Sequence, residues 1–354
     1  MSESIDRLLK SSTEWLRGLG PEVDVVVSSR VRLARNIAGF PFLAKLSKEQ
    51  EEEIIDTVEQ AAEQSPVLKD TLFVRYHDVT ELDKQFLLER HLISREHAVE
   101  QGEKAVAVSP NEVVSLMILE EDHLRLQVFQ SGFNLTETWR ITEEIIDALE
   151  KHLPFSFHAD LGYLTACPTN VGTGLRASCM LHLPSLVLTK QVNKVLQALA
   201  KLNLATRGLY GEGSSASGNF FQISNQITLG QKEEDIIAGL EKVIRQMIVH
   251  EKEARQYLLD KRKVKFEDQI WRALGTLKSA RVVSSSEAVQ LVSLLRLGVD
   301  MGFVANLTHG ELNNLFLVMQ PAHLQKLYGR ALGSSERDIR RADLIRERLK
   351  TVSL

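Results

Sequence analysis

The chain has 354 residues, 44% apolar and 25% charged, with a formal net charge of −4. Such a composition belongs to an ordinary globular protein that can bury a large core over two domains, and its weakly acidic balance excludes global attraction to nucleic acid or an anionic membrane. Two cysteines, Cys167 and Cys179, exclude a disulfide framework and a four-cysteine zinc site, while the absence of a long apolar run and of a signal-peptide core points to a reduced, cytoplasmic setting.

Residues 1–20 space Ile5, Leu8, Leu9, Trp15 and Leu16 as one face of a short amphipathic helix, which packs on the main body or docks a partner. Residues 23–27 read as a strand interrupted by Asp24 and leading into SSRVRLAR (28–35). In an extended chain Arg30 and Arg32 point to one side, where they repel unless an anion lies between them; a solvated basic strand is the plainer alternative. Ser47 and Gln50 form a capping-box pattern opening a helix to about residue 64. Residues 71–77 and 105–119 read as strands, with ERHLIS (89–94) at a helix end between them. EEDHLRL (120–126) then reads as a hairpin tip, costly to bury without a purpose and costless if solvated.

A helix is expected over 139–152, and residues 155–162 lead into CPTNVGTGLRAS (167–178). The glycines of that stretch permit turns closed to other residues and leave room for a bound group, and Arg176 offers a rigid fork suited to phosphate. The stretch is neither a Walker loop nor GxGxxG. A strand over 180–183 and a helix from Pro184 to about 202 precede a Gly/Ser-rich segment, 205–219, with the character of a loop that closes over a ligand. A strand over 220–229 and one or two long charged helices over 232–263 follow. Beyond 264 only helices are expected, at about 265–279, 285–300, 308–319, 321–330 and 335–350, with Thr308 and Ser334 or Ser335 as caps and Pro321 at the first helical position. The organisation is therefore an N-terminal segment (1–20), a mixed domain (21–258) and a helical C-terminal domain (259–354), without internal repeats.

Arg30, Arg32, Arg125, Arg176 and Arg207 all fall at or beside strand ends or turns, and converge if the strands form one sheet. Five arginines without a P-loop lysine suit a nucleoside triphosphate whose Mg2+ is held mainly by phosphate oxygens and water, with no metal site of the protein's own. Glu121 and Glu212 lie in loops close in sequence to such arginines, and paired carboxylates suit a guanidinium acceptor. Deprotonating a free guanidinium of pKa about 13.8 near neutral pH costs on the order of 9 kcal/mol, more than a general base supplies, so its proton must leave as the N–P bond forms.

Taken in order, SSRVRLAR, ERHLIS, EEDHLRL, CPTNVGTGLRAS and RGLYGEG (207–213) resemble the motifs of the phosphagen (guanidino) kinase catalytic domain, over roughly residues 21–255. The resemblance implies an α+β fold, a large mostly antiparallel sheet flanked by helices, followed by an all-helical C-terminal domain. It implies ATP as phosphoryl donor, with Arg30, Arg32, Arg125, Arg176 and Arg207 on the phosphates and His91 beside adenine and ribose. Ser28, Ser29, Val31, Ala177, Ser178, Cys179, Met180, Gly208, Leu209, Tyr210 and Gly211 complete the implied nucleotide site. Glu121 and Glu212 would grip the guanidinium and accept its proton, and Cys167 would sit against it and tune the chemistry.

Only about twenty residues precede SSRVR, so the enclosing helical domain of small-molecule guanidino kinases is expected to be missing, and a helical domain follows instead. That arrangement resembles the bacterial kinases that phosphorylate arginine side chains of proteins. Spacing alone favours an exposed salt-bridged helix at Arg337, Asp338, Arg341 and Ala342, but their pattern RDxxRA resembles that branch's allosteric phosphoarginine pocket, which the resemblance implies instead. The branch implies a homodimer or higher oligomer, a zinc-containing activator, a AAA+ protease and a place in stress response. A free-arginine kinase and a non-catalytic phosphoarginine-binding adaptor stand as alternatives.

Overall fold

The computed structural model describes residues 3–10, 13–99, 101–208 and 217–352. Its centre is an eight-stranded antiparallel sheet in the order β2-β3-β4-β5-β1-β8-β10-β9. In chain order the strands are β1 (Val26–Arg35), β2 (Leu72–Arg75), β3 (Ala105–Val108), β4 (Val114–Ile118), β5 (Leu124–Ser131), the small hairpin β6 (Phe157–His158) and β7 (Gly162–Tyr163), then β8 (Leu175–His182), β9 (Leu204–Gly208) and β10 (Phe220–Asn225). The helices are α1 (Glu3–Asp6), α2 (Lys48–Gln64), α3 (Glu81–Glu89), α4 (Arg95–Val99), α5 (Leu135–Glu150), α6 (Pro184–Leu188), α7 (Val192–Lys201), α8 (Glu233–Ser279), α9 (Ser285–Asp300), α10 (His309–Val318), α11 (Pro321–Leu327) and α12 (Ser334–Arg348). The class is α+β, with a helical C-terminal region.

Strand alternation gives the sheet two unlike faces. Val31, Leu33, Leu126, Val128, Ala177, Cys179, Leu181 and Ile223 turn to one side and pack against Ile54 and Val58 of α2, Ile145 and Leu149 of α5, and Leu240 and Ile244 of α8. The opposite face carries the arginines. It is closed at one end by Val27, Phe129, Met180 and Phe220, which share a core with the C-terminal helices, and at the other by Val106, Val108 and Met117 under α3.

Several expected elements differ. The N-terminal segment is α1 and two single 3-10 turns rather than one helix; Ile5 and Leu8 pack under α3, whereas Trp15 and Leu16 join the C-terminal core. The expected strand 105–119 is two strands, because Ser109-Pro110-Asn111-Glu112 interrupts the apolar run and turns the chain, with Ser109 Oγ accepting from the Val114 amide at 2.9 Å. Strand β8 begins five residues early, at Leu175, and β9 occupies residues expected as loop, with β10 as partner. The helix expected from Pro184 breaks at Lys190, whose φ of +60° no helix accommodates, giving α6 and α7. Helices expected on either side of residue 264 are one helix, α8, bent at Arg262 (φ −140°), so the expected boundary at 258/259 falls inside an element. The cap of α12 is Gly333, not Ser334 or Ser335, while Thr308 and Ser47 form capping boxes as read. Among the described residues no helix is long and apolar enough to cross a membrane.

Candidate active site

Ladder register brings the five arginines together. Arg32 lies opposite Arg176 of β8 and Gln127 of β5; Arg30 lies opposite Ser178 and Phe129; Arg125 lies opposite Ala34. Met180 faces Gln222, which in turn faces Arg207 of β9. Directly paired residues share a face, so all five arginines, from four strands, project from the side of the sheet that α2 and α5 do not cover.

Burial and mutual repulsion act on this cluster. Desolvation, then Arg125, Arg207 and Arg176, push Arg30 down to about 9, and the same causes hold Arg32 well below its ordinary value. At about 9, Arg30 remains protonated at neutral pH. Arg30 donates to Gln222 Oε1 at 2.9 Å and lies 5.6 Å from the Phe129 ring centre. The buried Nε and Nη2 of Arg32 have no hydrogen-bond partner among the described residues. A buried guanidinium with donors unspent and like charges around it suits the binding of an anion.

The β4–β5 tip is divided. Glu120 is buried and takes Arg125 Nη1 at 2.5 and 2.6 Å, Ser94 Oγ at 2.6 Å and the Glu121 amide at 2.9 Å. Burial alone would raise its pKa, but Arg125 and these hydrogen bonds bring it down to about 2. Burial likewise works against the charge of Arg125, yet Glu120 more than offsets it and raises the arginine. Asp122 is also buried and accepts from Asn36 Nδ2 and the Ala166 amide, each at 2.6 Å. His123 accepts at Nδ1 from the Ile37 amide (3.0 Å) and faces the Pro41 carbonyl through Nε2 (2.9 Å), which assigns the neutral Nε2–H tautomer. Glu121 alone of the acids reaches solvent. Partial desolvation, then Asp122, raise its pKa, against Arg125 and a hydrogen bond with Cys167.

Cys167 is half-buried, with its Sγ 3.0 Å from Thr169 Oγ1. Because Asp122 holds the Ala166 amide, the acid next to Glu121 also fixes the residue next to Cys167. The glycines downstream serve the protein's own backbone rather than a bound group. Gly172 has φ +108°, and a Cβ there would strike the Thr228 carbonyl; Gly174 has φ +63°, and a Cβ there would lie 2.7 Å from the Ala34 carbonyl. Thr228 Oγ1 donates to the Val171 carbonyl at 2.7 Å, and Asn225 holds both the Ala177 amide (2.8 Å) and the Leu175 carbonyl (3.0 Å).

Alternation separates the remaining expected site residues. Ser28, Ser178 and Met180 share the arginine face and line one pocket with Arg30 and His91. Ser29, Val31, Ala177 and Cys179 point the other way: Ser29 donates to the Gly132 carbonyl and accepts from the Asn134 amide at the start of α5, and Cys179, fully buried, is pushed up to about 12 by desolvation. His91 sits in the left-handed region (φ +59°), packs edge-on against Trp15 at 5.1 Å, and is pushed down to about 3 by burial and then Arg30, so it is neutral at physiological pH. Gly208 ends β9; Leu209, Tyr210, Gly211 and Glu212 lie outside the described residues.

In the C-terminal helices, Arg341 is buried and donates to the carbonyls of Met319 and Val283, each at 2.9 Å, and to Asp338 at 2.5 Å. Ala342 is in the core beneath it, and Arg337, half-exposed, donates to the Leu332 carbonyl at 2.9 Å. The expected pair of open forks is therefore one buried, satisfied fork and one accessible one.

Residues 52–254 match the C-terminal catalytic domain of ATP:guanido phosphotransferases, and residues 263–354 match the protein-arginine kinase McsB C-terminal domain. Protein-arginine kinases of Symbiobacterium thermophilum and Halothermothrix orenii are 48% and 45% identical to it, over 96% and 97% of this chain and 97% and 98% of theirs. The chain belongs to the protein-arginine kinase family. Among solved structures, the duplicated taurocyamine kinase of Schistosoma mansoni, with transition-state-analogue components bound, superposes on 66% of this kinase and 34% of its own length (TM-score 0.60, 28% identity). A lombricine kinase shares the fold over 69% of this kinase and 70% of its own chain (TM-score 0.59, 23% identity). The kinase is thus a phosphotransferase with a guanidino acceptor. Sequence reasoning named its arginines but missed Glu120, Asp122, Asn36, Thr228 and Asn225, which hold the loops; the only available signal was that three acids beside an arginine are costly to bury.

Proposed function

We propose that this chain transfers the γ-phosphoryl group of MgATP to the guanidinium of arginine side chains in proteins at the arginine face of its sheet. The register that sets Arg30, Arg32, Arg125, Arg176 and Arg207 on one face, with Glu121 and Cys167 together at its edge, carries this reading. The arginines would hold the phosphates and stabilise the charge of the moving group. Magnesium would arrive with the nucleotide and neutralise phosphate oxygens; among the described residues no three metal-binding side chains gather to hold it alone.

A guanidinium nitrogen attacks phosphorus in line, the bond from the γ-phosphorus to the bridging oxygen breaks, and ADP takes that electron pair. The nitrogen sheds its proton to Glu121 as the N–P bond forms. Glu121 suits the task because its pKa is raised and its side chain reaches solvent, where a protein-bound arginine approaches. Glu212 is proposed as the second carboxylate and Cys167 as a contact that orients the acceptor. Residues 21–258 are proposed as the catalytic domain and 259–354 as a regulatory and dimerising one, with Arg337 as the accessible part of a phosphoarginine pocket. A zinc-containing activator, a AAA+ protease and a role in marking proteins for degradation under stress follow from the same reading.

Mass spectrometry under conditions that preserve N-phosphate, on casein incubated with ATP and the kinase, tests it. Phosphoarginine is expected with the wild type and lost in Glu121→Gln. Phosphorylation of free L-arginine but not protein would favour a phosphagen-type enzyme, and phosphoarginine binding without ATP binding an adaptor.

A further inference from the structure

We infer that the hairpin β6–β7 and the loop before α8 form a docking rim for an extended stretch of substrate polypeptide, taking the apolar residues that flank the acceptor arginine. The inference deepens the proposed function and rests on it. Surface apolar side chains scattered singly need no explanation, whereas several gathered in one place mark a contact surface. Phe157 (60% exposed) and Leu161 (43%) stand on the hairpin, and Ile227 (40%) and Leu229 (49%) on the loop.

Both segments are clamped to the loop that begins at Cys167. The Tyr163 amide donates to the Gly172 carbonyl at 2.8 Å, and a Cβ on Gly162 (φ +76°) would sit 2.6 Å from that same carbonyl. From the other side Thr228, between Ile227 and Leu229, donates through Oγ1 to the carbonyls of Thr169 (3.0 Å) and Val171 (2.7 Å). Gly172 is where the two meet, since a Cβ on it would lie 2.8 Å from Leu229 Cα. Four exposed apolar side chains are thus fixed around a loop whose first residue is hydrogen-bonded to Glu121. Local structure does not call for them. Leu161 occupies the three-residue turn of the hairpin, where glycine and polar residues are the ordinary choice. Phe157 meets the Tyr163 ring edge-on at 5.2 Å and is otherwise open.

The position of the rim decides its occupant. An acceptor arginine that reaches Glu121 and Cys167 from a protein brings its own backbone to the mouth of the site. Residues of an extended chain advance about 3.3 Å each, so its neighbours within a few positions lie over whatever borders Cys167. Charge agrees with this. Asp160 in the hairpin turn and Glu233, Glu234 and Asp235 at the start of α8 outnumber Lys232, so the rim is acidic where an arginine-bearing chain must lie. The acids draw the chain in, and the apolar side chains hold the residues beside the arginine.

Two peptides test the rim, each with one arginine and identical charges. One carries Leu and Phe two and three residues to either side of the arginine; the other carries Ser in their place. Phosphoarginine formed by the full chain with MgATP is followed by mass spectrometry. The wild type is expected to favour the apolar-flanked peptide about tenfold in kcat/KM, through KM. The double variant Leu161→Ser, Leu229→Ser is expected to bring that preference within about twofold, leaving the Ser-flanked peptide's kcat/KM unchanged and the melting temperature within a few degrees of the wild type. No preference in the wild type, or an intact preference in the variant, overturns the inference. So does a variant that sediments as a smaller species while keeping its preference, which gives this face to a second copy of the chain. Failure of the kinase reading looks different: the wild type then phosphorylates neither peptide.

Discussion

Arg32 of β1 and Arg176 of β8 stand directly across the antiparallel ladder, two guanidinium-bearing residues in register on one face. Like charges opposite one another destabilise a sheet, and Arg32 adds buried donors without partners among the described residues. The pairing makes sense as stability given up to hold an anion. Arg32→Met is therefore expected to raise the melting temperature of the nucleotide-free protein while cutting the phosphorylation rate by about 10³-fold or more. A lower melting temperature would mark Arg32 as structural.

Glu121 and Glu120 are neighbours with opposite fates, and their variants should separate accordingly. Glu121→Gln leaves packing untouched and is expected to lose activity by about 10²–10⁴-fold with an unchanged melting curve. Glu120→Ala removes the partner of a largely buried arginine and is expected to cost about 3 kcal/mol in urea unfolding. Equal destabilisation by the two would contradict the division seen at the tip.

Stability should fall with acid in two stages. His91 and His97 are held neutral, at about 3 and about 4, largely by burial, against an ordinary 6.5. The unfolded chain binds their protons first, so stability declines as pH drops below about 6.5. Glu120, at about 2 against an ordinary 4.5, contributes stability that is complete above 4.5 and is lost as pH falls toward 2. Denaturant melts across this range should show both stages, and Glu120→Gln should diminish the lower one, to which Asp83, its burial outweighed by Lys326 and Thr80 so that its pKa is lowered, also contributes.

Arg337 and Arg341 share a helix face but not a role. Arg341 satisfies two carbonyls that would otherwise be orphaned, so Arg341→Ala is expected to destabilise by about 3 kcal/mol and depress activity through loss of folded protein. Arg337→Ala is expected to leave basal activity and melting unchanged and to weaken the response to added phosphoarginine. Identical behaviour of the two in activation assays, at matched stability, would restore the two-fork reading.

What was legible in the sequence was whatever depends on period and neighbours. Alternation placed Arg30 and Arg32 on one side, and Ser47 and Thr308 announced their helices through capping chemistry. The same alternation was not applied to Ser29, Val31, Ala177 and Cys179, whose side chains serve the core. Long-range facts were invisible: that Arg176 faces Arg32, that Asp122 grips Ala166, and that Gly172 and Gly174 yield to Thr228 and Ala34. The break within 105–119 was legible in Ser109-Pro110-Asn111-Glu112, whose turn chemistry outweighs the β-formers on either side. Strand β9 escaped because Thr206 and Arg207 owe their extended form to β10 and not to local propensity.

Helix α8 runs from the flank of the sheet into the C-terminal bundle without a gap, and Val27, Phe129, Met180 and Phe220 share one apolar core with Phe266, Leu295 and Leu312. Two regions matched by separate family models are thus expected to melt as one. Calorimetry should record a single endotherm, and a chain cut near residue 258 should yield an insoluble N-terminal fragment, its exposed side chains being the same ones that bound the nucleotide site. A loosened C-terminal helix would then be felt by the kinase as a leaking active site before it registered as unfolding.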